Sequence, residues 1–545
     1  MTPMRFECLP PQKQPHLSRL ALTYQTDFPR LQEYYQHPPT LDGIAAAAAA
    51  ARRDDLPRAA LAAALRAQMA RFGEDASVNR NLDRLAAGAV AVVTGQQTGL
   101  FTGPAYTLYK ALSALRWAEE MTRRGTDAVP VFWLASEDHD LAEVDHCDWS
   151  GRDGLERIQL PHGPEDQGRR VGDVPLGPGI EPALQSALAA LDGPGAEAIA
   201  DALRAGCSAG ETYSSAFGKL MARLFAGRGL ILLDAMDRAI AVLAAPVLAA
   251  ALRESNTLAA ELQKRSRALE GAGFHAQVKV LPGATLLFAV VEGKRLPLRR
   301  VENRFQAGSR TFTLAELEDA AARPAAQGIT LSPSALLRPV VQDSLLPTAA
   351  SIVGPAELAY LAQSHVLYRR LLGRMPAAIP RADFTLVEPH VGRLLRKYRL
   401  EIADVLRGPQ HLRRRLETES VPRALARQMS TGEKNLRRYL ARIRRPLRKL
   451  DATLEGALDT SERKMLYQME KLRARAGRAA DRRAELLDRH ARILREALTP
   501  HGELQSRNVC ALPLLARQGL ELLSALEEPV LGGADAAACH QIVFL

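Results

Sequence analysis

The sequence predicts an α/β protein with a parallel-sheet core and a C-terminal helical arm. The first observation is a pair of short apolar runs, 89–93 and 129–135, which enclose a helix-like segment, 105–124. Strand, helix and strand in that order predict two parallel strands joined by a crossover helix. The second observation is a series of apolar residues between 436 and 497 that recur every four or three positions, the spacing of a coiled coil.

Bulk composition is that of a soluble globular protein. A chain of 545 residues with 47% hydrophobic residues can hold more than one structural unit. The N-terminal segment Met1–Gln12 is polar, so we expect no signal peptide. The longest apolar run, Ala239–Leu252, contains Pro246 and is too short to cross a bilayer, so it predicts a buried helix. We therefore expect a cytoplasmic protein with no membrane partner.

The cysteines support the same location. There are five, an odd number, and they are widely scattered. They form no pair with metal-ligand spacing and predict no disulfide framework. The positions are Cys8, Cys147, Cys207, Cys510 and Cys539.

The net charge of +11 is concentrated in one segment. Between Val391 and Pro500 there are 29 Lys and Arg residues against 14 Asp and Glu residues, out of totals of 72 and 61. The rest of the chain is therefore slightly acidic. A basic helical segment is more often a solvated face than a polyanion site, so we predict no nucleic-acid partner.

The remaining elements follow in chain order. Residues 1–88 are expected to be helical, and 148–195 is expected to be a loop-rich insertion because it is rich in Gly, Pro and Asp. Three further predictions are a buried strand at Gly229–Asp234, a hairpin that pairs Val278–Val280 with Thr285–Val291, and mixed loop and helix over Arg338–Gln363.

The arm is predicted as two long helices. One heptad series runs over 436–450, and a second over 465–497 follows Asp459–Glu462, which resembles a helix N-terminal cap. Pro446 should kink the first helix, and Arg483 and His490 interrupt the second series. The helices could pair with each other or with a second subunit, and a homodimer is the simpler account. The predicted domains are a core at 1–390, the arm at 391–500 and a C-terminal segment at 501–545 that returns to the core.

A glycine-rich loop follows the first apolar run. Gly95, Gly99 and Gly103 allow a sharp turn and close approach to a ligand, and Gln96 and Gln97 add amide groups. The loop precedes a helix, whose N-terminus favours phosphate or carboxylate. Lys110 lies six residues after Pro104 in the predicted helix, and its ammonium group could approach an anion at the start of that helix. The spacing matches neither a dinucleotide fingerprint nor a P-loop, so a purely structural turn remains the alternative.

A cluster of ionisable residues follows the second apolar run. Within it, His139 can act as a general acid or base, oriented by Asp138 or Asp140. A metal is the sharper alternative, because His139, Glu143 and His146 would share one helical face. A cap with solvated acids is the structural alternative.

Several strings together resemble the bacillithiol-biosynthesis cysteine ligase family, BshC. The tail Pro500–Asn508 resembles the family more loosely, since a glutamate is expected where Ser506 stands. The strings that carry the resemblance are GQQTGLFTGPAYTLYK at Gly95–Lys110, PVFWLASEDHDLAEVDH at Pro130–His146, RPVVQDSLLPTAA at Arg338–Ala350 and GPAELAYLAQ at Gly354–Gln363.

The resemblance implies a Rossmann-like parallel-sheet core with connecting insertions and a dimerising coiled coil. It also implies the last step of bacillithiol assembly, in which cysteine is joined to the glucosamine amine of glucosaminyl-malate. A carboxylate needs activation for this, most simply by ATP to give a cysteinyl-adenylate. ATP use is an analogy with class I adenylate-forming enzymes, since neither HIGH nor KMSKS occurs in the sequence.

The candidate site residues follow from these strings. We expect His139, Asp138 and Lys110 to be catalytic, with no metal, and Arg338 and Arg381 are candidates for the malate carboxylates. The expected substrate- or nucleotide-binding residues are Gly95, Gln96, Gln97, Gly99, Gly103, Thr107, Glu137, Asp140, Arg338, Gln342, Asp343, Gly354, Glu357 and Tyr360.

Two other functional classes stay open. One is a metal-dependent hydrolase built on the cluster 138–146. The other is a non-enzymatic coiled-coil scaffold or nucleic-acid binder that uses the basic arm.

Overall fold

The computed structural model describes residues 4–53, 55–151, 154–324, 328–419, 423–480, 484–531 and 539–545. The chain forms two compact units. The first, the core unit, comprises Glu7–Phe384 and Ser506–Gln541, and the second, the arm unit, comprises Met1–Phe6, Thr385–Gln505 and Ile542–Leu545.

Short strands make up the sheets. The chain passes from one unit to the other at four points, three of which lie in strands β1, β14 and β15 and the fourth in the helix Gln505–Asn508. The strands of the described residues are β1 (Arg5–Leu9), β2 (Val90–Gln96), β3 (Ala128–Leu134), β4 (His146–Gly151), β5 (Gly154–Gln159), β6 (Ile231–Asp234), β7 (Ala284–Val291), β8 (Lys294–Val301), β9 (Arg304–Ala307), β10 (Arg310–Phe312), β11 (Ile329–Pro333), β12 (Thr348–Val353), β13 (Ala377–Pro380), β14 (Asp383–Val387) and β15 (His540–Phe544).

Helices surround these strands and build the arm. Their bounds are α1 (Arg19–Thr26), α2 (Leu41–Ala51), α3 (Arg58–Phe72), α4 (Ala76–Ala87), α5 (Tyr106–Arg123), α6 (Ile180–Ala189), α7 (Ala196–Gly206), α8 (Tyr213–Leu224), α9 (Arg238–Arg253), α10 (Ser255–Gly271), α11 (Leu314–Ala322), α12 (Arg338–Leu345), α13 (Pro355–Leu371), α14 (Pro389–Lys397), α15 (Ile402–Leu406), α16 (Pro409–Glu419), α17 (Arg423–Leu450), α18 (Leu454–Ala480), α19 (Ala484–Leu498), α20 (Gln505–Asn508), α21 (Leu512–Gln518) and α22 (Glu521–Glu527).

A five-stranded parallel sheet forms the centre of the core unit, in the order β13-β12-β2-β3-β6. Strands β3 and β12 are both buried along their whole length, and β3 accordingly reads as a continuous apolar run. The chain proceeds from β2 through α5 to β3, and it returns later to add β12 on the other side of β2. The order therefore reverses beside β2, where open α/β sheets bind ligands at the carboxyl ends of their strands.

The predicted strands at 89–93, 129–135 and 229–234 correspond to β2, β3 and β6, with α5 between the first two. Strand β12, next to β2, lies inside the region expected to be mixed loop and helix. Its sequence, TAASIV, begins with four small or polar residues, so only Ile352 and Val353 are typical of a buried strand. Its place in the sheet depends on pairing with β2 and β13, which the sequence does not display.

The predicted hairpin is wrong in its register. Strand β7 pairs with β8, and the segment 278–280 is not a strand. The turn is Glu292-Gly293, in which both residues have positive φ (52° and 77°), the conformation that a tight two-residue hairpin requires. These strands belong to a second, five-stranded sheet in the order β10-β9-β8-β7-β11.

In the arm unit, α17 and α18 form an antiparallel pair within the chain. Ion pairs join Arg444 to Asp459 at 2.6 Å and Arg473 to Glu433 at 3.6 Å, so residues late in one helix face residues early in the other. The helix cap predicted at 459–462 is wrong, because these residues lie inside α18. The turn is Asp451–Thr453, where an Asp451 carboxylate oxygen accepts a hydrogen bond from the Thr453 N–H at 2.8 Å.

The heptad series is only partly buried within the chain. Leu440 is 3% exposed, whereas Leu450 and Leu472 are 80% and 60% exposed. Helix α17 continues through Pro446. The predicted seam position Arg483 lies outside the described residues.

A disulfide joins two of the five cysteines. Cys8 and Cys539 form a disulfide, so the expectation of no disulfide is wrong. The two are 531 positions apart, and only folding brings them together.

The run 239–252 lies in α9, as predicted. Among the described residues no single helix is long and apolar enough to cross a membrane, and the pair α9 and α10 reaches that length only with a 76° bend.

Candidate functional site

A cleft of about 520 Å³ opens at the carboxyl ends of the central strands. Gly95–Gln97 reach it from the end of β2, and Ala135–His139 enter directly after β3. Gly354 follows β12, and Arg381 follows β13. The four central strands thus deliver polar groups to one edge because parallel strands all end there.

The structure divides the predicted site residues into two groups. Those that line the cleft are Gly95, Gln96, Gln97, Lys110, Glu137, Asp138, His139, Arg338, Gly354, Glu357 and Tyr360. Those that do not are Gly99, Gly103, Thr107, Asp140, Gln342 and Asp343.

The glycine-rich loop lines the cleft only with its first residues, Gly95–Gln97. Gly99 and Gly103 pack against each other, since a Cβ on Gly99 would lie 3.2 Å from the Gly103 Cα. The N–H groups of Gly99, Leu100 and Gly103 already donate to backbone carbonyls. Phe101 adopts positive φ, 49°, and is fully buried. The loop therefore packs as a strained structural turn, and the N–H groups of Gly99 and Gly103 have acceptors within the chain.

Lys110 holds two elements together. Its ammonium lies 2.8 Å from the Gly95 carbonyl, 3.0 Å from Gln96 Oε1 and 2.5 Å from Glu357 Oε2. Three acceptors use its three N–H donors. Burial acts to raise the pKa of Glu357, but Lys110 and the N–H of Gly354 outweigh it and lower that pKa below its usual range. Lys110 thus ties the end of β2 to the start of α13.

Arg338 completes this side of the cleft, which we call the paired wall (Lys110, Arg338, Glu357 and Tyr360). Arg338 donates to Gln342 Oε1 at 3.0 Å and to the Tyr360 hydroxyl at 3.1 Å. Gln342 in turn donates to Asp343 at 2.9 Å. Gln342 and Asp343 are therefore a buried layer behind Arg338.

The opposite side, which we call the acidic wall, consists of Glu137, Asp138 and His139. Gln97 donates to Asp138 at 2.7 Å, and the His139 backbone N–H donates to the same carboxylate at 2.7 Å. Burial acts to raise the pKa of Asp138, but its contacts with His139, Arg295 and Gln97 hold that pKa well below its usual range. Burial raises the pKa of Glu137 to about 7, although Arg295 and Arg170 oppose this rise.

Sequence reasoning missed Arg295, on β8 of the second sheet. Its Nη1 lies 2.9 Å from His139 Nδ1 and 3.7 Å from Asp138 Oδ1. It is separated from His139 by more than 150 positions, and its neighbours in the sequence form no motif, so no local signal could have found it. Sequence reasoning also did not select several other residues that line the cleft, among them Tyr106, Phe288, Ser334 and Arg507.

The metal alternative required a helix through 139–146, which does not form. Leu141–Glu143 is a single 3₁₀ turn, and His146 begins β4. The ring of His146 faces Asp145, at 2.8 Å. Among the described residues, no group of three metal-ligating side chains is arranged to hold an ion.

Comparison with known proteins gives the family. Residues 4–382 match the family model described as bacillithiol biosynthesis BshC, N-terminal Rossmann-like domain, and residues 384–543 match the C-terminal coiled-coil domain of the same family. The chain belongs to the BshC family. The predicted resemblance is therefore confirmed, as is the predicted fold class of a Rossmann-like core with a coiled coil.

Relatives in several bacteria cover nearly the whole chain. A protein of Koribacter versatilis is 40% identical over 95% of this chain and 97% of its own length, and one of Solibacter usitatus is 40% identical over 97% and 98%. A protein of Thermus thermophilus is 35% identical over 83% and 88%. All three are named "Putative cysteine ligase BshC".

Proposed function

We propose that this chain is a ligase of bacillithiol biosynthesis that joins the carboxyl group of cysteine to the glucosamine amine of glucosaminyl-malate. Membership of the BshC family and the name of its relatives support a cysteine ligase. The substrates and the bond formed are our own inference from the family resemblance and from the chemistry of the cleft.

The observation that carries the proposal is the pairing of opposite charges in one cleft. The acidic wall suits the ammonium group of an amino acid and the glucosamine amine. Arg338, Arg381 and Arg507 line the same cleft and suit carboxylates or phosphates. A substrate pair with both kinds of charge fits these surroundings better than a neutral substrate does.

ATP is the proposed activating co-substrate, and it would supply a cysteinyl-adenylate with release of pyrophosphate. The guanidinium groups of Arg381 and Arg507 are the cleft residues best suited to its phosphates. Arg381 is also held in place, because its Nη1 lies 2.8 Å from Asp383 Oδ1. Lys110 is a poorer choice than expected, since its donors are already used.

The deciding experiment incubates the purified chain with cysteine, glucosaminyl-malate and ATP, omits each component in turn, and follows the product by mass spectrometry. Product that requires ATP, with AMP and pyrophosphate released, is the expected result. Product without ATP would retain the ligase and overturn the adenylate. No product under any condition would overturn the proposed reaction.

We also propose a homodimer formed through α17 and α18. Tyr439, Leu450, Tyr467 and Leu472 on these helices are between 58% and 80% exposed, and apolar surface of this kind is typical of an interface. Sedimentation of the intact chain should give twice the monomer mass. Leu450→Glu with Leu472→Glu should give the monomer, whereas Arg438→Glu on the same arm is the matched charge control.

Cytoplasmic location and the absence of nucleic-acid and membrane partners remain predictions. Binding to DNA or RNA that falls steeply with added salt would contradict the second of these.

A further inference from the structure

Arg295 is held rigidly beside His139. Its Nε donates to Ser332 Oγ and its Nη2 to the Pro333 carbonyl, each at 2.9 Å. The guanidinium carbon lies 3.7 Å from the centre of the Phe288 ring, and the side chain is only 7% exposed. These three contacts fix the position of the guanidinium group. Its remaining nitrogen, Nη1, lies within hydrogen-bond distance of His139.

That contact assigns the tautomer of His139. A guanidinium group donates hydrogen bonds and accepts none, so the Nδ1 atom that it meets at 2.9 Å must carry a lone pair. The neutral ring then holds its proton on Nε2. Asp138 Oδ1 lies 3.3 Å from the same Nδ1 and would favour a proton there, but it is further away and already accepts from the His139 backbone N–H.

A histidine in this tautomer offers a donor at Nε2 and has no free lone pair. Its only lone pair is engaged by Arg295, and its free atom, Nε2, carries a hydrogen. A proton could reach Nδ1 only if the contact with Arg295 were broken. His139 is thus suited to donating a hydrogen bond to an oxygen that gains charge, rather than to deprotonating an amine.

The carboxylates in and near the cleft differ in the hydrogen bonds and ion pairs that they make. Asp138 accepts from Gln97 and from the His139 N–H, and Glu357 is paired with Lys110. Glu137 lines the cleft, and no hydrogen bond or ion pair joins it to another described residue. The Asp234 carboxylate nearby is engaged by Ser136 and Ser214, at 2.5 and 2.6 Å.

We infer that Glu137 is the proton acceptor of this site and that Arg295 is a positioning residue that fixes His139 as an Nε2–H donor. The inference rests on the proposed function. In the step concerned, the lone pair of the neutral glucosamine amine forms the C–N bond to the activated cysteine carbonyl carbon. The bond from that carbon to the phosphate oxygen breaks and AMP leaves with its electron pair, while one N–H proton passes to the Glu137 carboxylate and then to solvent.

The charges that face Glu137 decide its pH dependence. Arg295, Arg170 and Arg338 favour its ionised form, whereas Asp234 and burial oppose it. Burial prevails and raises the pKa of Glu137 to about 7, so the carboxylate is available to accept a proton at and above neutral pH.

Two measurements test the assignment without any turnover. In the intact chain labelled with ¹⁵N-histidine, the long-range ¹H–¹⁵N spectrum should show His139 with its proton on Nε2. Its signal is identified by its absence in His139→Gln. Arg295→Lys, which keeps a donor, should preserve this tautomer, and Arg295→Met should lose it. With ¹³C-glutamate, the carboxyl signal absent in Glu137→Gln should titrate near pH 7. A proton on Nδ1 in the unmodified chain, or a Glu137 midpoint near 4.5, would overturn the inference.

Activity then assigns the roles. The unmodified chain should show a rise in kcat/KM as the pH passes about 7, and Glu137→Gln should lose this rise and about 100-fold in rate. His139→Gln places an amide N–H where Nε2–H stood and should keep the rise, whereas His139→Asn should be about tenfold slower than His139→Gln. Loss of the rise in His139→Gln and its survival in Glu137→Gln would overturn the assignment. If the unmodified chain forms no product, the proposed reaction fails, and the two spectra still decide the tautomer and the titration.

Discussion

The two sides of the cleft differ in how fully their charges are paired. On the paired wall, Lys110 and Glu357 are 4% and 17% exposed and lie 2.5 Å apart, and Arg338 has neutral partners in Gln342 and Tyr360. On the acidic wall, Asp138 and His139 are 35% and 41% exposed. The paired wall thus resembles a protein core whose polar groups contact each other, whereas the acidic wall leaves groups accessible to a substrate.

This difference distinguishes two roles that a charged residue in a cleft can have. A buried charge is tolerated when a partner compensates the lost hydration, and such a pair mainly holds elements together. A carboxyl group without a partner instead changes its proton affinity, which is useful in acid–base chemistry. By this criterion we expect Lys110 mainly to hold elements together, although it lines the cleft, and we propose Glu137 for the acid–base chemistry.

The largest expected effect is on the paired wall. Lys110→Met should lower the free energy of unfolding by about 3–5 kcal/mol, because it leaves the Glu357 carboxylate buried without its partner. Urea denaturation measures this as a lower midpoint with an unchanged slope. The double variant Lys110→Met with Glu357→Gln is the control and should recover part of the loss. A cost below about 1 kcal/mol for the single variant would show that the wall is not held by this pair.

Arg338→Lys should have the next largest effect. A lysine cannot reach both Gln342 and Tyr360, so the loss of charge-assisted hydrogen bonds should cost about 1.5–3 kcal/mol. The same denaturation experiment measures it. Arg369→Lys, on the exposed side of α13, is the matched control and should change the stability by less than about 0.5 kcal/mol. Equal effects of the two variants would show that the contacts of Arg338 with Gln342 and Tyr360 do not stabilise the paired wall.

Glu137→Gln should stabilise the protein, but only at high pH. The folded-state pKa of Glu137, about 7, exceeds the ordinary value of 4.5, so the folded protein binds more protons than the unfolded one between these values. The stability of the unmodified chain therefore falls as the pH rises through that range, and the glutamine variant avoids this loss. We expect a gain of about 1–2 kcal/mol at pH 8, after allowance for solvent in the cleft, and none at pH 4.

Thermal denaturation across pH 4–8 checks this prediction. A gain that is the same at every pH would mean that Glu137 does not titrate between these limits. A loss of stability at pH 8 would mean that the carboxylate has a partner that the structure does not show.

The smallest expected effect is at the exposed edge of the acidic wall. Gln97 donates to Glu143 at 2.9 Å, but this contact is open to solvent. Glu143→Gln should therefore change the free energy of unfolding by less than about 0.5 kcal/mol. Denaturation measures it beside Lys110→Met, and a loss comparable with that variant would show that exposure does not separate the two walls.

Much of the fold could be predicted because the information is local. Apolar runs identified β2, β3 and β6, and heptad spacing identified the helices of the arm. Strand β12 could not be predicted, since its small residues become buried only by pairing with two neighbours. The hairpin was misplaced because the Leu281–Ala284 segment has turn-like composition, whereas the real turn at Glu292-Gly293 carries a weaker signal.

The candidate site shows the same limit. Motifs identified the residues after β2, β3 and β12, because catalytic groups follow strands in this architecture. The motifs did not indicate that Gly95 lines the cleft and Gly99 does not. They also did not indicate whether Lys110 holds two elements together or contacts a phosphate. Those distinctions depend on which acceptors surround each group in space.

By itself the sequence determined the α/β class, the coiled coil, the family and the segments that meet at the cleft. These follow from periodicity and from motifs in which neighbouring residues carry the signal. Only the tertiary structure decided that Arg295 meets His139, that Glu357 neutralises Lys110 and that Cys8 joins Cys539. Such contacts join distant positions, and their energies arise from burial and from the direction of hydrogen bonds, which exist only once the chain has folded.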